Sequence, residues 1–232
     1  KEVYIWYKLR HSNVLPLLGI TTQFDLTVSI VSRWMDNGNA HNYVRDATVD
    51  PRPLIKGAAE GLSYLHNHTS KIIHGDVKGF NVLISDDGRA LLTDFGFSRL
   101  ENSSFSMASY THGGVRGTIR WMAPEVLDGK DSKELMADTD VWSFGMTALE
   151  LFTRDVPFVG LSKVGAIMAR ILRGPPDRPS EEDTCHRLTD EWWDVCSACC
   201  NPEPSLRPTM SRIVDMITAI VCLSHVTWLV VD

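Results

Sequence analysis

Apolar residues recur at intervals of three and four through Leu54, Ile55, Ala58, Leu62 and Leu65, which predicts a helix with one buried face. Asp50-Pro51 just ahead supplies a start, an aspartate to cap the first turn and a proline at the first helical position, where a missing N–H costs nothing. The period then changes. Val82-Leu83-Ile84 and Ala90-Leu91-Leu92 are short apolar runs joined through Asp86-Asp87-Gly88, the pattern of a β-hairpin turning at Asp87-Gly88. After Asp140 strand signals stop and helical spacing dominates, as in Val164, Ile167, Met168 and Ile171. Residues 97–116 carry Ser103, Ser104, Ser106, Ser109, Tyr110 and Thr111 with neither period, and are expected to form a mobile loop hinged at Gly113-Gly114. The final apolar stretch, Ala219 to Val231, is shorter than the ~20 residues needed to span a bilayer, and Asp215 interrupts it upstream. A helix is expected there through about Ile220; the β-branched run beyond has no physical account. No internal repeat is evident.

Composition narrows the classes. At 232 residues the chain is one large domain or two small ones, and its 44% hydrophobic and 22% charged content is ordinary for a globular protein. A net charge of −6 argues against a nucleic-acid-binding surface, which carries a basic excess. No N-terminal stretch has the make-up of a signal peptide, and nothing in the sequence sets an oligomeric state. Five cysteines are an odd number and too few for a disulfide scaffold. Cys196-Ser197-Ala198-Cys199 matches C-x-x-C, but it lies in a helically spaced segment with no second pair to complete a zinc site, so it reads as core helix. Reduced thiols fit a cytoplasmic or nuclear protein. His66 and His68 resemble a ligand pair and are read instead as capping a solvated helix end.

The richest chemistry lies in His74-Gly75-Asp76-Val77-Lys78-Gly79-Phe80-Asn81, followed by Asp94-Phe95-Gly96. Asp76 and Lys78 are two apart, so on an extended loop both side chains lean toward one reacting phosphate and hydroxyl. Asn81 and Asp94 are hard oxygen ligands of the kind Mg²⁺ prefers. The predicted hairpin returns these two, thirteen residues apart, to the same end of paired strands. Seven fixed positions (His74, Asp76, Lys78, Asn81, Asp94, Phe95, Gly96) make chance on the order of one in a billion per starting position.

This pattern resembles the catalytic and metal-binding loops of the eukaryotic protein kinases. Gly117-Thr118-Ile119-Arg120-Trp121-Met122-Ala123-Pro124-Glu125 resembles the end of that family's activation segment, and Asp140-Val141-Trp142-Ser143-Phe144-Gly145 the start of its buried central helix. Leu206-Arg207-Pro208-Thr209 matches the family's late arginine, and implies an ion pair between Arg207 and Glu125. His11 to Gly19 resembles the segment entering the fourth small-lobe strand, which puts Glu2 at the family's helix-C glutamate. The resemblance implies an α+β bilobal fold: an incomplete small β lobe over 1–35, a mostly helical large lobe over 36–218, and an apolar tail over 219–232 without an assigned role. It also implies ATP and Mg²⁺ as cofactors and a protein substrate as partner.

Carried over to these positions, Asp76 is the base that accepts or orients the substrate hydroxyl, and Lys78 neutralises the transferred phosphoryl group. Asn81 and Asp94 hold Mg²⁺, Leu83 touches the adenine, and the Arg33 carbonyl and Met35 amide face it from the hinge, with Ser32 as a small gatekeeper. His74 and Phe95 join Leu17 and Trp6 in the apolar stack between lobes. Lys78 and Thr118 favour a serine or threonine acceptor, with tyrosine left open; Trp121-Met122-Ala123-Pro124-Glu125 resembles both tyrosine kinases and the tyrosine-kinase-like Ser/Thr group, and the latter reconciles the two features. No G-x-G-x-x-G-x-V loop and no V-A-I-K lysine stand before Lys1, which implies a truncated small lobe, a folded large lobe, and negligible activity from residues 1–232 alone. A non-catalytic kinase-like scaffold is the competing reading; the retained Asp76, Asn81 and Asp94 argue against it. Gly75 stands where most kinases have an arginine that pairs with activation-loop phosphate, and Cys200 where the family has tryptophan, a change that would leave a void.

Overall fold

The computed structural model of the protein describes residues 6–23, 29–94, 99–100, 118–128 and 136–226. In chain order the elements are β1 (Leu17–Thr21), β2 (Ser29–Ser32), α1 (Ala40–Tyr43), α2 (Arg52–Asn67), β3 (Ile72–Ile73), β4 (Val82–Ile84), β5 (Ala90–Leu92), β6 (Arg99–Leu100), α3 (Pro124–Asp128), α4 (Ala137–Thr153), α5 (Val164–Arg173), α6 (Asp190–Cys199) and α7 (Met210–Val226). The three sheets are two-stranded and antiparallel among the described residues: β1 with β2, β3 with β6, and β4 with β5. A few strands followed by many helices is the α+β arrangement expected. Glu2, Phe95 and Gly96, and the predicted loop at 97–116 except for β6, lie outside the described residues.

The predicted hairpin forms with Val82 opposite Leu92 and Ile84 opposite Ala90, and Gly88 takes the positive φ of +79° that its tight turn demands. Helix α2 begins at Arg52, one residue later than its sequence suggests, with Pro51 in the cap position. Asp50 still satisfies the first turn, its Oδ1 accepting the Arg52 N–H at 3.0 Å. The predicted face of α2 is the buried one: Leu54, Ile55, Ala58, Leu62 and Leu65 all enter the core.

Residues 13–15 lie along β5, Leu15 N–H donating to Leu92 O and Leu92 N–H to Asn13 O, both at 2.9 Å. Helix α2 presses on this join so closely that a Cβ at Gly61 would stand 2.6 Å from Asn13 O. Glycine there is a packing requirement. The hairpin is thereby held between the helical core and the segment leading into β1.

Helix α4 runs through the centre. Val141, Trp142, Phe144, Leu149, Leu151 and Phe152 are buried on its different sides, as expected for a helix surrounded by protein. Arg207 clamps α3 to this centre. Its two terminal nitrogens donate to the two oxygens of Glu125 at 2.6 and 2.8 Å, Nε donates to Asn201 O at 2.8 Å, and the guanidinium lies over the Trp142 ring. The Glu125–Arg207 pair therefore forms as the sequence implies.

Two expectations are corrected here. Cys200 leaves no opening on the side of α4: it is fully buried, and a Cβ at Gly145 would stand 2.8 Å from its Sγ. The terminal helix α7 does not stop near Ile220 but continues to Val226, so the apolar run first extends a helix. Among the described residues no helix is long and apolar enough to cross a membrane.

The C-x-x-C segment lies in α6 with both thiols buried, as core rather than chemistry. Burial pushes Cys196 and Cys199 far up, and Cys200 up to about 12, with Arg207 pulling the last partly back. These three stay protonated at ordinary pH, whereas Cys185 and Cys222 are exposed. Alkylation of the folded chain at pH 8, read by mass spectrometry, should label Cys185 and Cys222 and spare the other three until denaturant is added.

Candidate active site

Asp140, in the first turn of α4, is 1% exposed, and burying its charge requires donors on both oxygens. The loop that follows β3 provides them: His74 N–H donates to Oδ2 and Gly75 N–H to Oδ1, each at 2.8 Å. His66 Nε2 reaches the same Oδ2 at 2.9 Å. His66 is thus a half-buried partner of Asp140 and not the solvated helix cap its sequence suggested; His68 accepts from Ser70 N–H at 3.2 Å. Gly75 has φ +81°, a conformation that glycine adopts without strain.

His74 is fully buried. Its Nδ1 accepts the Asp76 N–H at 3.2 Å, so Nε2 carries the proton and donates to Thr93 O at 3.0 Å. The imidazole therefore ties the loop to the residue just before Asp94. Around Asp76 the arrangement is asymmetric. Oδ2 accepts from Lys78 Nζ at 2.6 Å and from Asn81 Nδ2 at 2.8 Å, while Oδ1, also buried, has no partner among the described residues. Lys78 Nζ also donates to Thr118 Oγ1 at 2.9 Å, which joins the loop to the segment 118–121.

Asn81 and Asp94 meet at the hairpin mouth as predicted. Thr93 N–H donates to Asn81 O at 3.0 Å, immediately beyond the Val82–Leu92 pair. The Asn81 amide nitrogen is committed to Asp76, through both Oδ2 and the backbone oxygen at 2.8 Å, so its Oδ1 is the atom that can ligate a hard cation. Asp94 is exposed and in the left-handed region at φ +60°, which aspartate tolerates better than most residues. Two oxygen donors at one mouth suit Mg²⁺, which keeps several waters and takes few protein ligands.

The segment assigned to adenine lies along the same hairpin. Asn39 bridges to Leu83, and Ile84 N–H donates to Gly38 O at 2.9 Å. Leu83 is half-buried and Met35 is buried. Arg33 is exposed, its guanidinium paired with Asp86 at 2.5 Å, and Ser32 pairs with Leu17 between β2 and β1. The backbone that would face adenine thus leads directly from strand into hairpin.

Two residues escaped the sequence reading. Glu150, 1% exposed on α4, accepts Gly79 N–H at 2.9 Å, and His41 on α1 lies against it. A lone acid inside the apolar run Ala148-Leu149-Glu150-Leu151-Phe152 was a visible signal. Nothing local marks His41.

A helical core that suspends a paired Asp76–Lys78 loop beside two oxygen donors at a hairpin mouth is the architecture of a phosphotransferase. Comparison with known families specifies it: the profile for protein tyrosine and serine/threonine kinases matches residues 1–217, and the chain belongs to the protein kinase family. It is similar to serine/threonine-protein kinase STY17 of Arabidopsis thaliana, 30% identical over 227 residues, covering 95% of this chain and 37% of the relative. It is also similar to mitogen-activated protein kinase kinase kinase 7 of Drosophila melanogaster (31% over 229 residues, 95% and 31% covered) and to dual specificity protein kinase shkA of Dictyostelium discoideum (32% over 227 residues, 95% and 41% covered). The chain therefore spans about a third of the length of these relatives. Phosphoryl transfer with ATP and Mg²⁺ is the activity of the family.

Replacing Asp140 by asparagine keeps the shape but turns an N–H toward one of the two loop N–H donors. Leaving a buried donor unmet costs about 1–3 kcal/mol, so Asp140→Asn should lower the urea midpoint accordingly without changing the slope of the transition.

Proposed function

We propose that the protein transfers the γ-phosphate of ATP to a serine or threonine hydroxyl of a protein substrate. The observation that carries this reading is the buried Asp76 carboxylate, with Oδ2 held twice and Oδ1 left without a partner. A buried acceptor without a donor is costly in a resting protein, and an incoming hydroxyl is the group that would meet it. Asp76 orients that hydroxyl and takes up its proton as the oxygen attacks. Lys78, poised between Asp76 and Thr118, supplies positive charge where the transferred group passes. Asn81 Oδ1 and the Asp94 carboxylate would hold Mg²⁺, whose part when bound is to neutralise phosphate charge. Leu83, Met35 and the Arg33 backbone form the adenine side. His74 and Asp140 shape the loop from beneath, and Glu125 with Arg207 braces the segment after Thr118.

The Lys78–Thr118 contact favours a serine or threonine acceptor, since it gives the segment beside the reacting site a hydroxyl tie to the catalytic loop. The lobes are assigned as 1–35 and 36–218. The segment 219–232 starts within α7, whose end at Val226 belongs with the large lobe's helix. The five cysteines are free thiols, which supports a cytoplasmic or nuclear setting.

The roles of the two acids separate by measurement. In the full-length protein, Asp76→Asn should lower turnover by roughly 10²–10⁴-fold, the range of a lost general base, with Mg²⁺-ATP affinity by titration calorimetry little changed. Asp94→Asn should weaken Mg²⁺-ATP binding itself. Equal loss of nucleotide affinity in both variants would contradict the assignment.

A further inference from the structure

Glu150 collects more donors than any recognised motif explains. Its Oε2 accepts both the Gly79 N–H at 2.9 Å and the Trp121 indole N–H at 2.8 Å. Its Oε1 lies 2.7 Å from His41 Nδ1. On the far side of that ring, Arg45 Nη2 is 3.3 Å from Nε2. A guanidinium can only donate, so Nε2 accepts, and the ring proton is on Nδ1, directed at Glu150. The ring is fixed in plane as well: it stacks on Phe80 with centroids 4.1 Å apart, and Phe80 meets Trp121 edge-on at 6.2 Å. His41 and Glu150 are both buried, and no motif assigns a role to the histidine.

The position of this cluster gives it consequence. Gly79 follows Lys78 and precedes Asn81 by two residues, and those two side chains hold Asp76 Oδ2. Trp121 closes the turn that begins at Thr118, to which Lys78 is bonded. The catalytic loop and the 118–121 turn are thus joined twice, once through Lys78 and Thr118 and once through the Glu150 carboxylate. The loop backbone also lies against that carboxylate: a Cβ at Gly79 would come 2.7 Å from Oε1.

We propose that His41 is a positioning residue for phosphoryl transfer, acting through Glu150 to hold Gly79 and Trp121 in register; this rests on the phosphotransfer reading above. Without the Nδ1 proton, Oε1 becomes a buried carboxylate oxygen short of a donor. The carboxylate then turns toward water or another N–H, and Oε2 leaves Gly79 and Trp121 with it. A small displacement of a reacting group costs far more in rate than in binding. Among the described residues the hinge backbone has no hydrogen bond to Glu150, whereas Asn81 lies two residues past Gly79, so nucleotide binding falls less than turnover.

The test compares two substitutions in the full-length protein, each first shown to be folded by its thermal midpoint. His41→Phe keeps a ring to stack on Phe80 and removes the donor. His41→Asn removes the ring and keeps an N–H at the Nδ1 position. His41→Phe should lower kcat by about tenfold or more with a much smaller change in KM for ATP, and His41→Asn should recover most of the loss. Independently of activity, NMR of the Trp121 indole N–H should show faster solvent exchange in His41→Phe and near-native exchange in His41→Asn. Wild-type kcat in His41→Phe, or equal impairment of both variants, would overturn the proposal. If the unsubstituted protein itself transfers no phosphate, the phosphotransfer reading fails, and with it any positioning for that reaction. An unchanged Trp121 exchange rate in His41→Phe would overturn the hydrogen-bond linkage even in an active enzyme.

Discussion

A carboxylate can be buried only where donors meet its oxygens. Helix α4 buries two, Asp140 and Glu150, ten residues and about 15 Å apart along its axis. Both are met by backbone N–H groups of one loop, His74 and Gly75 at one end and Gly79 at the other. The loop cannot shift along α4 without stranding a desolvated charge. The loop residues assigned to chemistry depend on this constraint, because Asp76 and Lys78 lie between the two anchors and Asn81 lies just past the second.

The anchors work because α4 itself has nowhere to go. It is buried on all sides, Gly145 draws it against Cys199 and Cys200, and Arg207 stacks on Trp142 while holding Glu125. The hairpin is placed by a different device, Gly61 on α2 admitting the Asn13 backbone and Gly57 its side chain, so that residues 13–15 can pair with β5. His74 connects the two systems by bonding Thr93, the neighbour of Asp94. The proposed base and the proposed metal-ligating mouth are thus set relative to one another by packing and main-chain hydrogen bonds, on rigid elements and with little reliance on surface charge.

How far the sequence could be read follows from which forces are local. The α2 face and the β4–β5 hairpin were legible because period and turn chemistry are written in consecutive residues. The Asp76, Lys78, Asn81 and Asp94 constellation was legible because the chemistry fixes residue types at fixed spacing, and Glu125–Arg207 because a family resemblance spans it. His66 was misread because its partner, Asp140, is 74 residues away, and a histidine near a helix end looks solvated until that partner is known. The end of α7 was misplaced because a β-branched run lowers helix propensity, yet the helix continues into it as far as Val226. His41 carried no local sign, since its role depends on Glu150 more than a hundred residues later. Glu150 did carry one: an acid in an otherwise apolar helical run is expensive, and the expense points to a function.

Two carboxylates of α4 lock the loop at 74–79 to the core. Site-resolved amide hydrogen exchange tests it most directly, because it reads the opening of individual N–H groups without reference to activity. The His74, Gly75 and Gly79 amides should exchange as slowly as the backbone amides in the middle of α4, released only when the helical core opens as a whole. Exchange at these three amides orders of magnitude faster than in α4, on the timescale of an ordinary surface loop, would contradict it.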